Sequence, residues 1–202
     1  MIAIIDYGVG NLFSLKSSFG AIGEQTVVTA DKEVIKAADK LILPGVGAFG
    51  DAKRKLEASG LIPLILEEAA AGKPIMGICL GMQLLFEVGH EYGEHKGLGL
   101  LKGSITPMEG KLPQELKIPH IGWNALHITR KNEILKYVNE GDCVYFVHSF
   151  YAEGCEDSLI ATAEYGRDIT AVVAKGNIYG CQFHPEKSGK VGLSILRAFA
   201  EL

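Results

Sequence analysis

Long hydrophobic runs and basic clusters are both missing from this chain of 202 residues. No apolar run approaches the ~20 residues that a membrane-spanning helix requires, so no membrane segment is expected. The longest basic cluster is Lys53-Arg54-Lys55, and the formal net charge is −4. Proteins that bind nucleic acid usually carry a basic patch or stripe, and therefore no nucleic-acid partner is expected.

Cysteine is scarce and irregularly spaced. No CxxC pair occurs among the four cysteines, which are Cys79, Cys143, Cys155 and Cys181. The first residues lack the basic region and the small-residue cleavage site of a secretory signal. These absences predict a protein of the reducing cytoplasm. Hydrophobic residues make up 48% of the chain and charged residues 22%, which is ordinary for a soluble enzyme and argues against disorder.

Strand and helix patterns alternate through the first half of the chain. Short apolar runs predict strands, and apolar residues at helical spacing predict helices. Predicted strands cover residues 2–6, 25–29, 40–43 and 74–78, and predicted helices cover 12–22, 51–58, 61–71 and 80–87. This alternation is typical of a parallel sheet with helices on both faces, in which an active site forms at the carboxyl ends of the strands.

After Gly89 the pattern becomes mostly β. Turn residues separate predicted strands at 100–107, 118–129, 143–152, 158–164, 170–175 and 177–183, before a final helix at 188–202. No linker or internal repeat divides the two halves. We therefore expect a single α/β domain over residues 1–202, with a central, mostly parallel sheet flanked by helices and an added β-rich region in the second half.

The segment Gly77-Ile78-Cys79-Leu80-Gly81 joins a predicted strand to a predicted helix. Glycines two residues before and two after the cysteine remove side chains where strand and helix crowd together, as in the nucleophile elbow of Gly-x-Ser-x-Gly enzymes. At a helix N-terminus, exposed amides and the helix dipole favour thiolate over thiol. Cys79 is therefore a candidate nucleophile, whereas Cys143 and Cys181 fall in apolar predicted strands, where we expect burial.

Two further stretches resemble known motifs but lack the surrounding residues or the spacing that those motifs require. The stretch Gly45-Val46-Gly47-Ala48-Phe49-Gly50 matches the dinucleotide fingerprint, but the acidic residues about 20 positions on, Glu67 and Glu68, fall inside a predicted helix. The stretch from His90 to His95 is one residue too long for the zinc motif His-Glu-x-x-His, and we expect a solvated loop there. For His120 and His127 we expect structural roles, and no metal site is predicted.

The tetrapeptide Phe183-His184-Pro185-Glu186 supplies the remaining groups of a catalytic triad. The residue before a proline is driven to an extended backbone, in which side chains two apart leave on the same side. Glu186 would then orient the imidazole of His184, and His184 would act as base and acid for Cys79.

Together the segments 77–83 and 182–186 resemble the class I, triad-type glutamine amidotransferases. Five further segments narrow the resemblance to the glutaminase subunits of imidazole glycerol phosphate synthases; they are 6–11, 44–50, 119–124, 145–149 and 185–189. The resemblance therefore runs from the first predicted strand to the last predicted helix. It implies hydrolysis of L-glutamine to L-glutamate and ammonia through a thioester on Cys79, with no cofactor and no metal. The implied partner is the cyclase subunit, a (β/α)₈ barrel, in a heterodimer of histidine biosynthesis.

The same resemblance implies roles for individual residues. An oxyanion hole would form from the Leu80 amide and an amide of the loop from Gly45 through Val46 to Gly47. Residues that would hold the substrate glutamine are Gln83, His148, Ser149 and Phe150. Residues that would lie at the partner interface or signal across it are Asn11, Trp123, Asn124 and Lys187.

Two alternatives remain at this point. The chain could be the glutaminase of another synthase, such as that of pyridoxal phosphate synthase, or a γ-glutamyl hydrolase; the former typically has Pro-Gly-Gly-Glu-Ser-Thr where this chain has residues 44–49. It could instead be a non-catalytic subunit that keeps the fold and regulates a synthase. The intact Cys79, His184 and Glu186 argue against this second alternative.

Overall fold

The computed structural model describes residues 1–202. Its strands are β1 (Ile2–Ile5), β2 (Thr26–Thr29), β3 (Lys40–Leu43), β4 (Ile75–Ile78), β5 (Phe86–Gly89), β6 (His95–Lys96), β7 (Leu101–Pro107), β8 (His120–Ile128), β9 (Cys143–His148), β10 (Phe150–Glu153), β11 (Leu159–Glu164), β12 (Asp168–Lys175) and β13 (Ile178–Cys181). Its helices are α1 (Leu12–Ala21), α2 (Lys32–Ala37), α3 (Phe49–Ala58), α4 (Ile62–Ala70), α5 (Leu80–Leu84) and α6 (Gly189–Ala200), with short 3-10 turns at Glu133–Leu135 and Pro185–Lys187.

Nine strands form the main sheet, in the order β2-β1-β3-β4-β13-β12-β11-β8-β9. Neighbours from β2 to β13 run parallel. Neighbours from β13 to β9 run antiparallel. The expected α/β fold with a parallel sheet in the first half is confirmed, but the β-rich second half continues the same sheet, which is therefore mixed as a whole. Strand β13 inserts beside β4, so the end of the chain returns to the Cys79 strand.

Four strands form a smaller sheet, in the order β10-β7-β5-β6. Two elements predicted from the sequence differ from the structure in this region. The helix predicted over 80–87 ends at Leu84, and Phe86–Gly89 is a strand. The carbonyl of Leu85 accepts hydrogen bonds from the amides of Leu100 and Leu101 instead of continuing the helix. The strand predicted over 143–152 breaks at Ser149, because β9 pairs with β8 in the main sheet whereas β10 pairs with β7 in the small sheet.

Strands β1, β3 and β4 of the main sheet are buried on both faces, which explains their continuous apolar runs. Ile2 and Ile4 of β1 pack in a cluster with α1 and α6, whereas Ala3 and Ile5 pack in a second cluster with α2, α3 and α4. Alternate residues of one strand thus enter opposite cores. None of the helices is both long enough and apolar enough to cross a membrane.

Candidate active site

Cys79 lies at a sharp strand-to-helix turn, as the sequence predicts. Its backbone has φ 53° and ψ −113°, a conformation that residues with a side chain rarely adopt. The flanking glycines are required by close backbone approach: a Cβ on Gly81 would lie 1.8 Å from the Leu43 oxygen, and one on Gly77 would lie 2.6 Å from the Gly81 oxygen. The Cys79 amide donates to the carbonyl of Cys181 at 2.7 Å, which ties the elbow to β13.

His184 and Glu186 follow β13 and reach the same elbow. The Nδ1 atom of His184 lies 2.8 Å from Oε1 of Glu186, and the two side chains are 4% and 1% exposed. His184 and Glu186 are in contact, as the sequence predicts, but the backbone conformation that brings them together differs from the predicted one. His184 is extended, whereas residues Pro185–Lys187 form a 3-10 turn. This turn, closed by a bond from Ser188 Oγ to the His184 carbonyl at 2.6 Å, brings the carboxylate back to the imidazole.

The surroundings of His184 determine its charge. Burial lowers the pKa of His184, but hydrogen bonds to Cys79 and Glu186, together with their negative charges, outweigh burial and raise the pKa to about 9. At neutral pH the imidazole is therefore protonated. The other carboxylate oxygen of Glu186, Oε2, is buried without a hydrogen-bond partner, so the imidazolium is the group that balances its charge.

Two buried glutamine side chains complete the surroundings of the sulfur. The Nε2 atom of Gln182 donates toward Cys79 Sγ at 3.8 Å. The Nε2 atom of Gln83 donates to Gln182 Oε1 at 3.0 Å and to the Phe150 carbonyl at 3.1 Å. The sequence analysis placed Gln182 only within a motif and gave it no role. Its position directly before Phe183 and His184, one residue after the strand beside the elbow, is the signal that could have identified it.

A cavity of about 370 Å³ opens beside Cys79. It is lined by most of the predicted site residues, namely Val46, Gly47, Cys79, Leu80, Gln83, His148, Ser149, Phe150, His184 and Lys187. Gly45 does not line the cavity. It packs beneath the elbow, where a Cβ would lie 2.6 Å from the Gly81 amide nitrogen. The loop begins at Pro44, whose carbonyl accepts a hydrogen bond from the Tyr7 hydroxyl at 2.6 Å.

Glu91 also lines this cavity, although the sequence analysis left it in a solvated loop. Its Oε2 atom accepts a hydrogen bond from the Phe49 amide at 2.6 Å, at the start of α3. The prediction of a solvated loop describes Tyr92, which is 92% exposed, but not Glu91 and His95, which are half-buried. The ring of His95 covers Gly50, and its Nε2 atom contacts the Glu91 carbonyl at 3.0 Å. No group of three or more His, Cys, Asp or Glu side chains is arranged to hold a metal ion.

The four predicted interface residues differ in exposure and in hydrogen bonding. Lys187 is exposed at the cavity, and Asn11 is half-buried at the start of α1 without capping it. Trp123 is 56% exposed on β8. Asn124 is engaged within the chain, because its Nδ2 atom donates to the Glu164 carbonyl at 2.9 Å and its Oδ1 atom contacts His120 Nε2 at 2.7 Å.

The cysteines other than Cys79 differ in exposure. Cys155 and Cys181 are buried, and burial raises the pKa of both thiols. The prediction that Cys143 is buried is wrong. Cys143 begins β9 and is exposed, because residues of this edge strand alternate between core and solvent and Val144 takes the core position.

The parallel sheet, the elbow cysteine at a strand's carboxyl end and the buried histidine–carboxylate pair together define a class of enzyme. A family model described as glutamine amidotransferase class-I matches residues 3–201. The chain belongs to this family and is a glutamine amidotransferase, an enzyme that hydrolyses glutamine.

Three curated relatives narrow the similarity, and all three are named imidazole glycerol phosphate synthase subunit HisH. The relative from Lactococcus lactis is 52% identical over 201 residues, 99% of this chain and 98% of the relative. The relative from Sulfurimonas denitrificans is 50% identical and the one from Caldanaerobacter subterraneus 49%, each over 100% of this chain and 98% of the relative. At such identity over nearly the whole length, the chain falls within the HisH family.

Solved structures support the fold. A crystal structure of a glutamine amidotransferase aligns with a TM-score of 0.77 at 17% identity, over 100% of this chain and 98% of that chain. A structure of PurLQS from Thermotoga maritima aligns with a TM-score of 0.74 at 21% identity, over 99% of this chain and 97% of that chain. At such identities the likeness concerns the fold alone.

Proposed function

We propose that this chain is the glutaminase subunit of an imidazole glycerol phosphate synthase, with Cys79 as nucleophile, His184 as acid and base, and Glu186 as the group that orients His184. The observation that carries the proposal is the buried pair of His184 and Glu186 beside the strained Cys79 elbow. A strained cysteine at the wall of a cavity, with a protonated imidazole at its sulfur, is suited to attack on an amide carbon.

The first chemical step forms a covalent bond between Cys79 Sγ and the side-chain amide carbon of glutamine. Negative charge then develops on the carbonyl oxygen. The Leu80 amide, at the first position of α5, has no partner within its helix and is one donor for this oxyanion. The loop from Gly45 to Gly47 supplies the second donor; its exposed residues Val46 and Gly47 line the same cavity.

Collapse of this intermediate breaks the carbon–nitrogen bond. His184 gives its proton to the departing nitrogen, which leaves as ammonia, and Cys79 is left as a thioester. The neutral imidazole then takes a proton from water, whose oxygen attacks the thioester and releases glutamate and the Cys79 thiolate. His184 thus regains its proton, and Glu186 holds the ring in the same orientation throughout.

Substrate orientation would come from side chains and backbone groups that line the cavity. Glu91 is a carboxylate that lines the cavity, and it suits the α-ammonium group of glutamine. Gln83 and the segment from His148 to Phe150 would contact the rest of the substrate. Glu91 is thus a proposed binding residue that the sequence analysis did not identify.

The proposed partner is the cyclase subunit, a (β/α)₈ barrel, in a heterodimer. Support comes from exposed apolar side chains next to the cavity, since contiguous exposed patches of this kind mark interaction sites. Ile118, Ile121 and Trp123 are 40%, 57% and 56% exposed, and Val46 at the cavity wall is 44% exposed. Pro119, which follows Ile118, also lines the cavity. A partner docked here would receive ammonia where it is released.

The test uses the complex with the cyclase and the variant Cys79→Ala, with Cys143→Ala as the control at an exposed thiol outside the cavity. With glutamine as nitrogen source, Cys79→Ala should make no imidazole glycerol phosphate, because no thioester forms. With high ammonium at alkaline pH, it should make product as fast as the cyclase alone. The control variant should use both nitrogen sources normally.

Other outcomes would identify the alternatives. Glutamine use by the Cys79→Ala complex would exclude Cys79 as nucleophile. A wild-type chain that hydrolyses glutamine but neither binds the cyclase nor supplies it would point to another synthase. A wild-type chain that binds the cyclase but hydrolyses no glutamine would be a regulatory subunit.

A further inference from the structure

Two buried histidines form a hydrogen-bonded pair beside the catalytic cavity. His120 of β8 lies directly opposite His148 of β9, and the two residues are 0% and 7% exposed. The Nδ1 atom of His120 is 3.1 Å from Nε2 of His148. The outer nitrogens also have partners: His120 Nε2 lies 2.7 Å from Asn124 Oδ1, and His148 Nδ1 lies 2.8 Å from the Phe150 carbonyl oxygen.

The partners at both ends of the pair can only accept hydrogen bonds. The carbonyl of Phe150 has no hydrogen to donate, and Asn124 turns its oxygen toward His120 because its Nδ2 atom donates to the Glu164 carbonyl. Both outer nitrogens must therefore carry hydrogen, and the contact between the rings needs one more. This makes three hydrogens on two imidazoles, whereas two neutral imidazoles carry only two. The third is an added proton.

The surroundings of His120 suit a cation. Its ring is stacked between Tyr165 and Phe146, with ring centroids 3.9 Å and 4.9 Å away and interplanar angles of 18° and 20°. Aromatic faces attract a cation, and more strongly where water is excluded. A neutral pair would instead leave two buried lone pairs facing each other between the rings, without a hydrogen bond.

The environment of the two histidines disfavours positive charge on either ring. Burial lowers the pKa of His120, and burial together with the charges of His120 and His184 lowers the pKa of His148. The titratable groups that face the pair are His184 after β13 and Tyr165 after β11; Glu164 contributes only its backbone carbonyl, and Lys187 lies at the shared cavity. These pKa shifts oppose every added proton, the first as well as a second, so the first depends on the acceptors at both ends of the pair and on the aromatic stack around His120.

We propose that His120 and His148 share one proton beyond the two of neutral imidazoles. We propose also that His120, acting through His148, is a positioning residue for the glutaminase site. The Phe150 carbonyl that His148 holds also accepts from Gln83 at 3.1 Å. Gln83 in turn orients Gln182, whose amide donates toward the Cys79 sulfur. An unbroken hydrogen-bond chain therefore runs from Asn124 on β8 to the nucleophile. The positioning role rests on the proposed function, whereas the proton count does not.

The proton count can be measured by NMR on the full chain with ¹⁵N-labelled histidine near neutral pH. We expect three slowly exchanging ring N–H protons on His120 and His148 together, with exposed His90 as the reference. The variant Asn124→Leu removes the acceptor that requires a proton on His120 Nε2, so the count should fall to two. Asn124→Asp keeps an acceptor there and should retain three. Two N–H protons in the wild type, or three in Asn124→Leu, would overturn the shared proton.

The positioning role is read from the kinetics of glutamine hydrolysis in the cyclase complex. His120→Leu leaves His148 Nε2 unpaired and should raise KM for glutamine about fivefold with a smaller change in kcat, since it loosens the cavity wall and not the nucleophile. His120→Gln, which can still donate to His148, should restore most of the affinity. His127→Leu, an exposed position on the same strand, is the matched control and should behave as wild type.

The outcomes separate this inference from the proposed function. A wild-type KM in both His120 variants, or an equal loss in both, would overturn the positioning role. If His120→Leu does not fold, the test uses His120→Gln together with the two variants Asn124→Leu and Asn124→Asp. A wild-type complex without glutaminase activity would overturn the proposed function, and the NMR count would still decide the shared proton.

Discussion

The imidazole Nδ1 of His184 and the carboxylate Oε1 of Glu186 lie 2.8 Å apart, and the two side chains are almost completely buried. An ion pair removed from water in this way is stable only if the charges remain matched. Glu186 has a second oxygen without a hydrogen-bond partner, so the buried carboxylate depends on the imidazole of His184 for its polar contact. This dependence leads to the first prediction, on the pH dependence of the reaction.

We expect wild-type glutaminase activity to persist to about pH 9 and then to fall. The pKa of His184 is raised to about 9, so the proton given to the leaving nitrogen is retained up to that pH and lost above it. Glu186→Gln removes a negative partner and lowers this pKa, so the alkaline limb of kcat/KM should move to lower pH. A limb that stays in place or moves to higher pH would contradict the assigned roles.

At neutral pH, Glu186→Gln should also retain more turnover than His184→Ala, by about tenfold or more, because the orienting group can be partly replaced whereas the acid and base cannot. Steady-state glutamine hydrolysis in the cyclase complex measures the difference. If Glu186→Gln were the more damaging change, Glu186 would have a role beyond orientation.

The second prediction concerns thiol reactivity. Brief treatment with iodoacetamide should label Cys79 first, because its sulfur lies at the cavity beside the imidazole of His184, which can accept the thiol proton. Exposed Cys143 should react more slowly, and Cys155 and Cys181 should react only after unfolding, since burial raises their pKa. Peptide mapping over a time course measures the order.

His184→Ala is the control for this experiment. It should slow the labelling of Cys79 and leave that of Cys143 unchanged. Predominant early labelling of Cys143, Cys155 or Cys181 in the wild type would remove the case for an activated Cys79.

The third prediction tests the close packing of the elbow. Gly81→Ala should unfold the protein or cost at least about 3 kcal/mol, because its Cβ would lie 1.8 Å from the Leu43 carbonyl oxygen, in backbone that cannot move aside. Gly20→Ala is the matched control. It lies in α1 with no atom within 4 Å of the added Cβ, and helix propensity predicts a gain of up to about 1 kcal/mol.

Chemical denaturation of the two glycine variants, followed by circular dichroism, measures both effects. A Gly81→Ala variant with wild-type stability would mean that the strand and helix at Cys79 can separate. The strained backbone of Cys79 would then not be enforced by its neighbours.

The sequence by itself determined those features that depend on the types and spacing of neighbouring residues. The glycines around Cys79 are required because strand and helix meet there at van der Waals distance, and their spacing is visible in the sequence. The continuous apolar residues of β1 likewise predict a strand buried on both faces, since alternate side chains enter opposite cores. The expected elbow and the alternating first half follow from such local patterns. His184 and Glu186 lie together as expected, but through a 3-10 turn at Pro185–Lys187 and not through the extended backbone that the sequence predicts.

Only the tertiary structure decided which distant segments meet. No local pattern shows that the segment 143–152 divides between two sheets at Ser149, because the break depends on the partner strands β8 and β7. Glu91 reaches the cavity, and Gln182 reaches the Cys79 sulfur, through contacts with residues more than 40 positions away, Phe49 and Cys79 respectively. The charge of the pair formed by His120 and His148 depends on acceptors at both of its ends, and the fold supplies these through Asn124 and Phe150.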